Sequence, residues 1–183
     1  LFALNFAKAA KDTALILAEG YMDVVALHQA GFVNAVATLG TSLTAEQARM
    51  ISQYAEEVIV AYDADGAGQK ATNRAIHIFG EIGLKVRVLK VKDAKDPDEF
   101  IKKFGADRFR LLLEGAGSAI EFEVGKMRQK YDLDSPDGKV GFLKEFAQFM
   151  AGIRNPIERD VYVAKIAMEL GVSKEPLMVQ IHY

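Results

Sequence analysis

The chain has 183 residues, half of them hydrophobic and 26% charged, with a formal net charge of −2. Such a profile suits one medium domain, or a domain with a small appendage, and it allows a real core. The lack of cysteine excludes disulfides and thiolate-based zinc or redox chemistry and points to a reducing, cytoplasmic setting, while no apolar run spans a bilayer and no basic excess marks a phosphate-gripping surface.

Taken in order, the first part alternates strand and helix signals. Ala14–Ala18 (ALILA) is a short apolar run, followed by Glu-Gly and a helical stretch over Tyr21–Ala30 that closes at Gly31. Val33–Ala37 reads as a second strand. Thr44-Ala-Glu-Gln47 is a capping box that opens a helix to about Tyr54. Val58–Tyr62 (VIVAY) is a third strand, a helix follows Gly68 to about Gly80, and Lys85–Val91 (KVRVLKV) is a fourth strand. This β-α-β-α order implies a parallel sheet with helices on both faces. Strands 1 and 3 are apolar throughout and belong in the middle; strand 4 alternates with basic residues and belongs at an edge. The spatial order 2-1-3-4 follows, with a ligand crevice at the carboxyl ends of the strands where the winding reverses.

From about Gly115 the pattern is purely helical. Ser135-Pro136, Asn155-Pro156 and Ser173-Lys-Glu-Pro176 are helix starts. The expected fold class is therefore α/β, a Rossmann-like four-stranded parallel sheet flanked by helices and followed by a small all-α subdomain. The expected boundaries are a lead-in at 1–13, the sheet domain at 14–115 and the helical subdomain at 116–183.

The carboxylates are the informative residues. Glu19 follows strand 1, Asp63 and Asp65 follow strand 3, and Asp96 and Asp98 lie in the loop after strand 4. Crowded carboxylates raise each other's pKa, and a divalent cation resolves the conflict. An oxygen-only set without Cys or His favours Mg²⁺ or Mn²⁺ over zinc. Plainer readings compete: Asp96-Pro97-Asp98-Glu99 is also a good helix start. A calcium loop at Asp63 fails, because Arg74 stands where its closing Glu belongs. Gly66 and Gly68, and across the crevice Gly40 and Thr41, mark the expected vicinity of a substrate phosphate. Lys70 and Arg74 add charge there or are merely solvated. His28, His77 and His182 have no partner spacing.

EGYMDV (Glu19–Val24), LGTSLT (Leu39–Thr44), YDADGAG (Tyr62–Gly68) and DPDEF (Asp96–Phe100) resemble, in order and spacing, the Toprim core of bacterial replicative primases of the DnaG type. SPDGK (Ser135–Lys139) resembles the start of the primase helical subdomain, so the likeness covers nearly the whole chain. It implies synthesis of short RNA primers on a single-stranded DNA template by metal-dependent nucleotidyl transfer from ribonucleoside triphosphates. It implies Mg²⁺ or Mn²⁺ at Glu19, Asp63, Asp65, Asp96 and Asp98, with Glu19, Asp63 and Asp65 as the catalytic residues. Asp23 matches the motif with either a structural or a supporting role. The zinc-binding domain and the helicase-binding region of such primases are not visible here. The chain is thus expected to be a catalytic-core fragment that binds metal but primes poorly alone, carries no zinc, meets the helicase through other parts of the protein, and works at the replication fork without a membrane.

Three rivals share the D-x-D. In a haloacid-dehalogenase-type phosphatase Asp63 is the nucleophile and Asp65 the acid/base, although that signature normally sits on the first strand. A Toprim nuclease or topoisomerase-like enzyme uses the same acids, the latter with a catalytic tyrosine not identifiable among six. A metal-stabilised, non-enzymatic interaction domain is the third.

Overall fold

The computed structural model describes residues 1–10, 12–39, 42–91 and 93–182, the last by its main chain. Two compact units follow one another, Leu1–Ala119 and the remainder from Ile120. The first contains α1 (Leu4–Ala10), β1 (Ala14–Ala18), α2 (Tyr21–Gln29), β2 (Ala35–Ala37), α3 (Ala45–Ser52), β3 (Glu57–Ala61), α4 (Gly66–Glu81), β4 (Lys85–Val88), α5 (Pro97–Phe104), α6 (Ala106–Glu114) and β5 (Gly117–Ser118). The second contains α7 (Ala119–Arg128), α8 (Pro136–Ala151), α9 (Pro156–Leu170) and α10 (Lys174–His182).

The sheet order is β2-β1-β3-β4-β5. β1 runs parallel to both β2 and β3, with Ile16 opposite Ala35 and Ile59, and β4 runs parallel to β3. The predicted order and winding reversal are therefore present. The predicted edge is not, because β5 adds antiparallel to β4 through the Arg87–Ser118 and Val88–Gly117 pairs. Arg87 explains this addition. Its guanidinium donates to the carbonyls of Leu113 and Glu114, which end α6, and to Ala116, at 2.7–2.9 Å. A basic residue in strand 4 thus holds the returning chain against the sheet. At the other edge, Phe2 donates to the Ala37 carbonyl at 2.8 Å and forms an isolated antiparallel bridge beyond β2.

Alternation along the central strands divides the core into two layers. Leu15, Leu17, Val58, Val60 and Tyr62 pack with Ala48 and Ile51 of α3 and Ala75 and Phe79 of α4. Ile16, Ala18, Ile59 and Ala61 pack with Val24 and Leu27 of α2, Phe100 of α5 and Phe109 of α6. Strands covered on both sides have no solvated face, which is why β1 and β3 are apolar at nearly every position.

The second unit has its own core of Ile120, Val124, Met127, Phe142, Phe146, Met150, Val163 and Ile166, with Leu177 and Ile181 from α10. Two of the three helix starts read from sequence, Ser135-Pro136 and Asn155-Pro156, cap as expected. Ser135 Oγ accepts from Gly138 N at 3.1 Å, and Asn155 Oδ1 accepts from Ile157 N and Glu158 N at 3.0 and 3.3 Å. α9 ends at Gly171, which has φ of +67° and so takes the left-handed cap that favours glycine.

Candidate metal centre

Each predicted acid sits at the carboxyl-terminal end of the sheet, where strands stop and helices begin. Glu19 is the first residue after β1, Asp63 is the second after β3, and Asp65 is the N-cap of α4. Asp96 is the N-cap of α5, and Asp98 lies in the first turn of that helix. The plainer roles are real as well. Asp65 Oδ1 accepts from Gly68 N at 2.7 Å, Asp96 Oδ1 accepts from Glu99 N at 2.8 Å, and Asp98 Oδ2 pairs with Lys102 at 2.5 Å. A carboxylate has two oxygens, so these bonds fix the side chains while leaving one oxygen of each for another partner.

Asp63 is where the acids meet electrically. Its pKa is raised to about 6, by burial first and then by the charges of Glu19, Asp23, Asp96 and Asp65. The acids approach from two sides of the sheet. Glu19 continues the Leu15–Leu17 alternation and lines a cavity of about 240 Å³ with Thr38, Ser42, Leu43, Tyr62 and Arg74. Asp63 continues the Ile59–Ala61 alternation, toward the α2 and α5 layer that carries Asp23 and Asp96. Among the described residues no three His, Asp or Glu side chains close up, as they stand, into a set that could hold a metal ion.

Asp23 is the residue that sequence reading left undecided. It is buried, the main-chain N–H of Gly20 donates to its Oδ2 at 3.2 Å, and the main-chain N–H of Asp98 also bonds to it. Its pKa is raised, mostly by burial and further by Asp96 and Asp98. Asp23 therefore ties the turn after β1 to the start of α5. The only sequence signal for this was its place in the first turn of a helix that begins beside Glu19.

The donor set fits a hard divalent cation. All its members are carboxylate oxygens, and Glu19 Oε2 is buried without a hydrogen-bond partner among the described residues. The neighbouring Tyr62 hydroxyl is held in its protonated form by burial and by the Glu19 charge. Of the residues expected near a phosphate, Gly40 and Thr41 lie outside the described residues. Gly68 has a clear reason to be glycine, since a Cβ there would meet the Asp63 carbonyl oxygen at 2.1 Å, whereas a Cβ on Gly66 would meet nothing within 4 Å. Lys70 and Arg74 are exposed on α4. His28 is structural, its Nε2 lying 3.0 Å from the Ala35 carbonyl, and His77 pairs with Glu81 on the surface.

Residues 16–101 match the Toprim-like family, and residues 120–175 match the DnaB-helicase binding domain of primase. The second match departs from the expectation that the helicase-binding region lies in other parts of the protein, since it falls on the helical unit itself. The DNA primase of Clostridium acetobutylicum is 38% identical over 178 residues, covering 97% of this chain and 30% of that protein. The DNA primase of Halalkalibacterium halodurans is 38% identical over 168 residues, covering 91% and 28%. The chain thus spans about 30% of the length of these curated relatives. The crystal structure of the Aquifex aeolicus primase (zinc binding and RNA polymerase domains) superposes with a TM-score of 0.72 at 31% identity, over 97% of this chain and 43% of that one. The RNA polymerase domain of Mycobacterium tuberculosis primase DnaG, in complex with double-stranded DNA, gives 0.79 at 31% identity, over 93% and 56%. These matches favour neither the phosphatase nor the nuclease alternative. In sequence and in fold, the chain is similar to the Toprim and helical portions of the bacterial, DnaG-type DNA primase core.

Proposed function

We propose that this chain carries the metal-dependent nucleotidyl-transfer centre of a DNA primase, an enzyme that makes short RNA primers on single-stranded DNA. One observation carries the reading: Asp63 feels four other carboxylates contributed by the ends of β1, α2, β3 and the start of α5. Divalent Mg²⁺ or Mn²⁺ held by Glu19, Asp63, Asp65, Asp96 and Asp98 would neutralise the triphosphate and the leaving pyrophosphate and sharpen the 3′-hydroxyl nucleophile. Glu19 brings a buried, unpartnered oxygen to this edge and acts as a ligand or as the acceptor of the hydroxyl proton. Asp65 and Asp96 are held in place by the helices they cap. Asp23 holds the Asp96–Asp98 turn against the β1 end.

The template, the primer and the ribonucleoside triphosphates are the proposed substrates, in a cytoplasmic replication setting. A replicative helicase and a zinc-binding domain are the proposed companions. Among the described residues no helix is long and apolar enough to cross a membrane.

The test is primer synthesis by the complete protein carrying Glu19→Gln or Asp63→Asn, with folding checked by circular dichroism. Each substitution should lower the rate by at least about a hundredfold. Full primer synthesis by either folded variant overturns the assignment. Phosphate release from a small phosphoester, with an aspartyl-phosphate trapped at Asp63, would move it to a phosphatase.

A further inference from the structure

Three residues cross the sheet in one row at its carboxyl-terminal edge. Ala37, Ala18 and Ala61 are in register as the last residues of β2, β1 and β3, so Thr38, Glu19 and Tyr62 form the next row. Val36, Leu17 and Val60 belong to the layer covered by α3 and α4, and the strand period of two turns the new row to that same side. These three side chains floor the cavity of about 240 Å³. Thr38 and Tyr62 are buried, and their side chains hydrogen-bond to each other across the row. Glu19, between them, keeps its unpartnered Oε2.

The walls come from two other elements. Ser42 and Leu43 stand before the Thr44 cap of α3, and Ala67, Ala71 and Arg74 recur at i, i+4 and i+7 on α4. Two alanines leave the space open, and Arg74 ends their row with a long cation. Among the described residues, Arg74 makes no ion pair. An unpaired cation and an unpartnered, buried carboxylate oxygen thus line one cavity without meeting. A cavity so lined is completed by polar groups that satisfy both. The carboxylate calls for a cation, and Arg74 with the Ser42 hydroxyl calls for an anion.

Size and closure select the anion. About 240 Å³ lies below the roughly 300–1,000 Å³ of pockets that enclose a whole drug-sized ligand, so only part of a nucleotide enters. Leu43 and Tyr62, 2% and 6% exposed, form its innermost lining. A terminal phosphate enters a closed recess, whereas a phosphodiester, with chain on both sides, does not.

We propose that this cavity seats the β- and γ-phosphates of the ribonucleoside triphosphate, which leave as pyrophosphate, and that Arg74 is their anion-binding residue. The planar guanidinium matches phosphate oxygens two at a time. The inference rests on the reading of the chain as part of a primase. It deepens that reading by placing the leaving group on the α3–α4 side of the sheet, opposite the layer toward which Asp63 continues.

The experiment compares the complete protein with its Arg74→Ala and Lys70→Ala variants. Lys70 lies one turn earlier on α4, is exposed and does not line the cavity, so its removal controls for net charge. Both positions are exposed on a helix, so folding is expected to survive, and circular dichroism verifies it. Pyrophosphate affinity in the presence of Mg²⁺ is read by isothermal titration calorimetry. Mn²⁺ affinity is read by electron paramagnetic resonance, and single-stranded DNA affinity by fluorescence anisotropy. Arg74→Ala should weaken pyrophosphate binding by at least about tenfold and keep the affinities for Mn²⁺ and DNA, whereas Lys70→Ala changes none of the three. Unchanged pyrophosphate affinity in Arg74→Ala overturns the proposal. So does equal weakening by Lys70→Ala, which would make the effect one of net charge. Weaker DNA binding by Arg74→Ala, with pyrophosphate affinity intact, assigns Arg74 to the strand backbone and also overturns it. Loss of Mn²⁺ affinity in Arg74→Ala makes the residue a prop of the metal centre and overturns it too. Failure of the primase reading shows up separately, as priming that survives Glu19→Gln.

Discussion

Asp63 shows how burial among other carboxylates stores unfavourable energy. A carboxylate with a folded-state pKa near 6, against an ordinary value of 3.8, binds its proton more tightly in the folded chain than in the unfolded one. The stability linked to that proton is fully present below the ordinary value and is lost as pH rises through about 6. At neutral pH without divalent cation, Asp63→Asn should therefore melt at a higher temperature than the unaltered chain, and at pH 4.5 the difference should be clearly smaller. Thermal melts in chelator at the two pH values check this. Equal melting temperatures at neutral pH would mean that neither burial nor the surrounding carboxylates act on Asp63. Mg²⁺ or Mn²⁺ should reverse the order at pH 7, because the cation stabilises only the folded chain that still has its ligand.

At the scale of elements, the site depends on how closely α4 begins against the end of β3. Gly68 lies in the first turn of that helix, over the Asp63 main chain. Gly68→Ala forces a Cβ to within 2.1 Å of a carbonyl oxygen, and backbone cannot yield as a side-chain tip does. The expected cost is about 1–3 kcal/mol, together with a loss of Mn²⁺ affinity as Asp63 is displaced. Gly66→Ala, two residues earlier and with open space around it, should keep both stability and metal affinity. Urea unfolding with Mn²⁺ titration separates the pair, and equal behaviour of the two variants would refute the packing argument. Much of this scale was legible in the sequence. Thr44-Gln47, Asp96, Ser135 and Asn155 are caps whose partners are two or three residues away, so a short window of sequence contains both sides of each bond. β5 was not legible, because its two residues have no strand pattern and their pairing lies beside a long-range contact, from Arg87 to the end of α6 and Ala116.

At the scale of the whole molecule, the two units have separate cores. Phe142 and Phe146 stack with centroids 6.0 Å apart, and both are fully buried in the helical unit. Phe146→Ala should destabilise that unit by about 3–5 kcal/mol. Hydrogen exchange should show this as lost amide protection in α8, α9 and α10; unchanged protection there would deny that this stack organises the unit. The sequence by itself determined the alternation of strand and helix, the burial of β1 and β3, and the placing of Glu19, Asp63, Asp65, Asp96 and Asp98 at strand ends and helix starts. Those features rest on hydrophobic period and on local capping, which act over a few residues. Tertiary structure alone decided that Asp23 is buried beside Asp98, that Glu19 keeps an unpartnered oxygen, and that the acids reach one edge from both layers. It also decided that one side of α9 is left uncovered although both sides are apolar. Periodicity marks a residue as apolar or acidic, but which neighbour it meets depends on the register of strands and helices far apart in the chain.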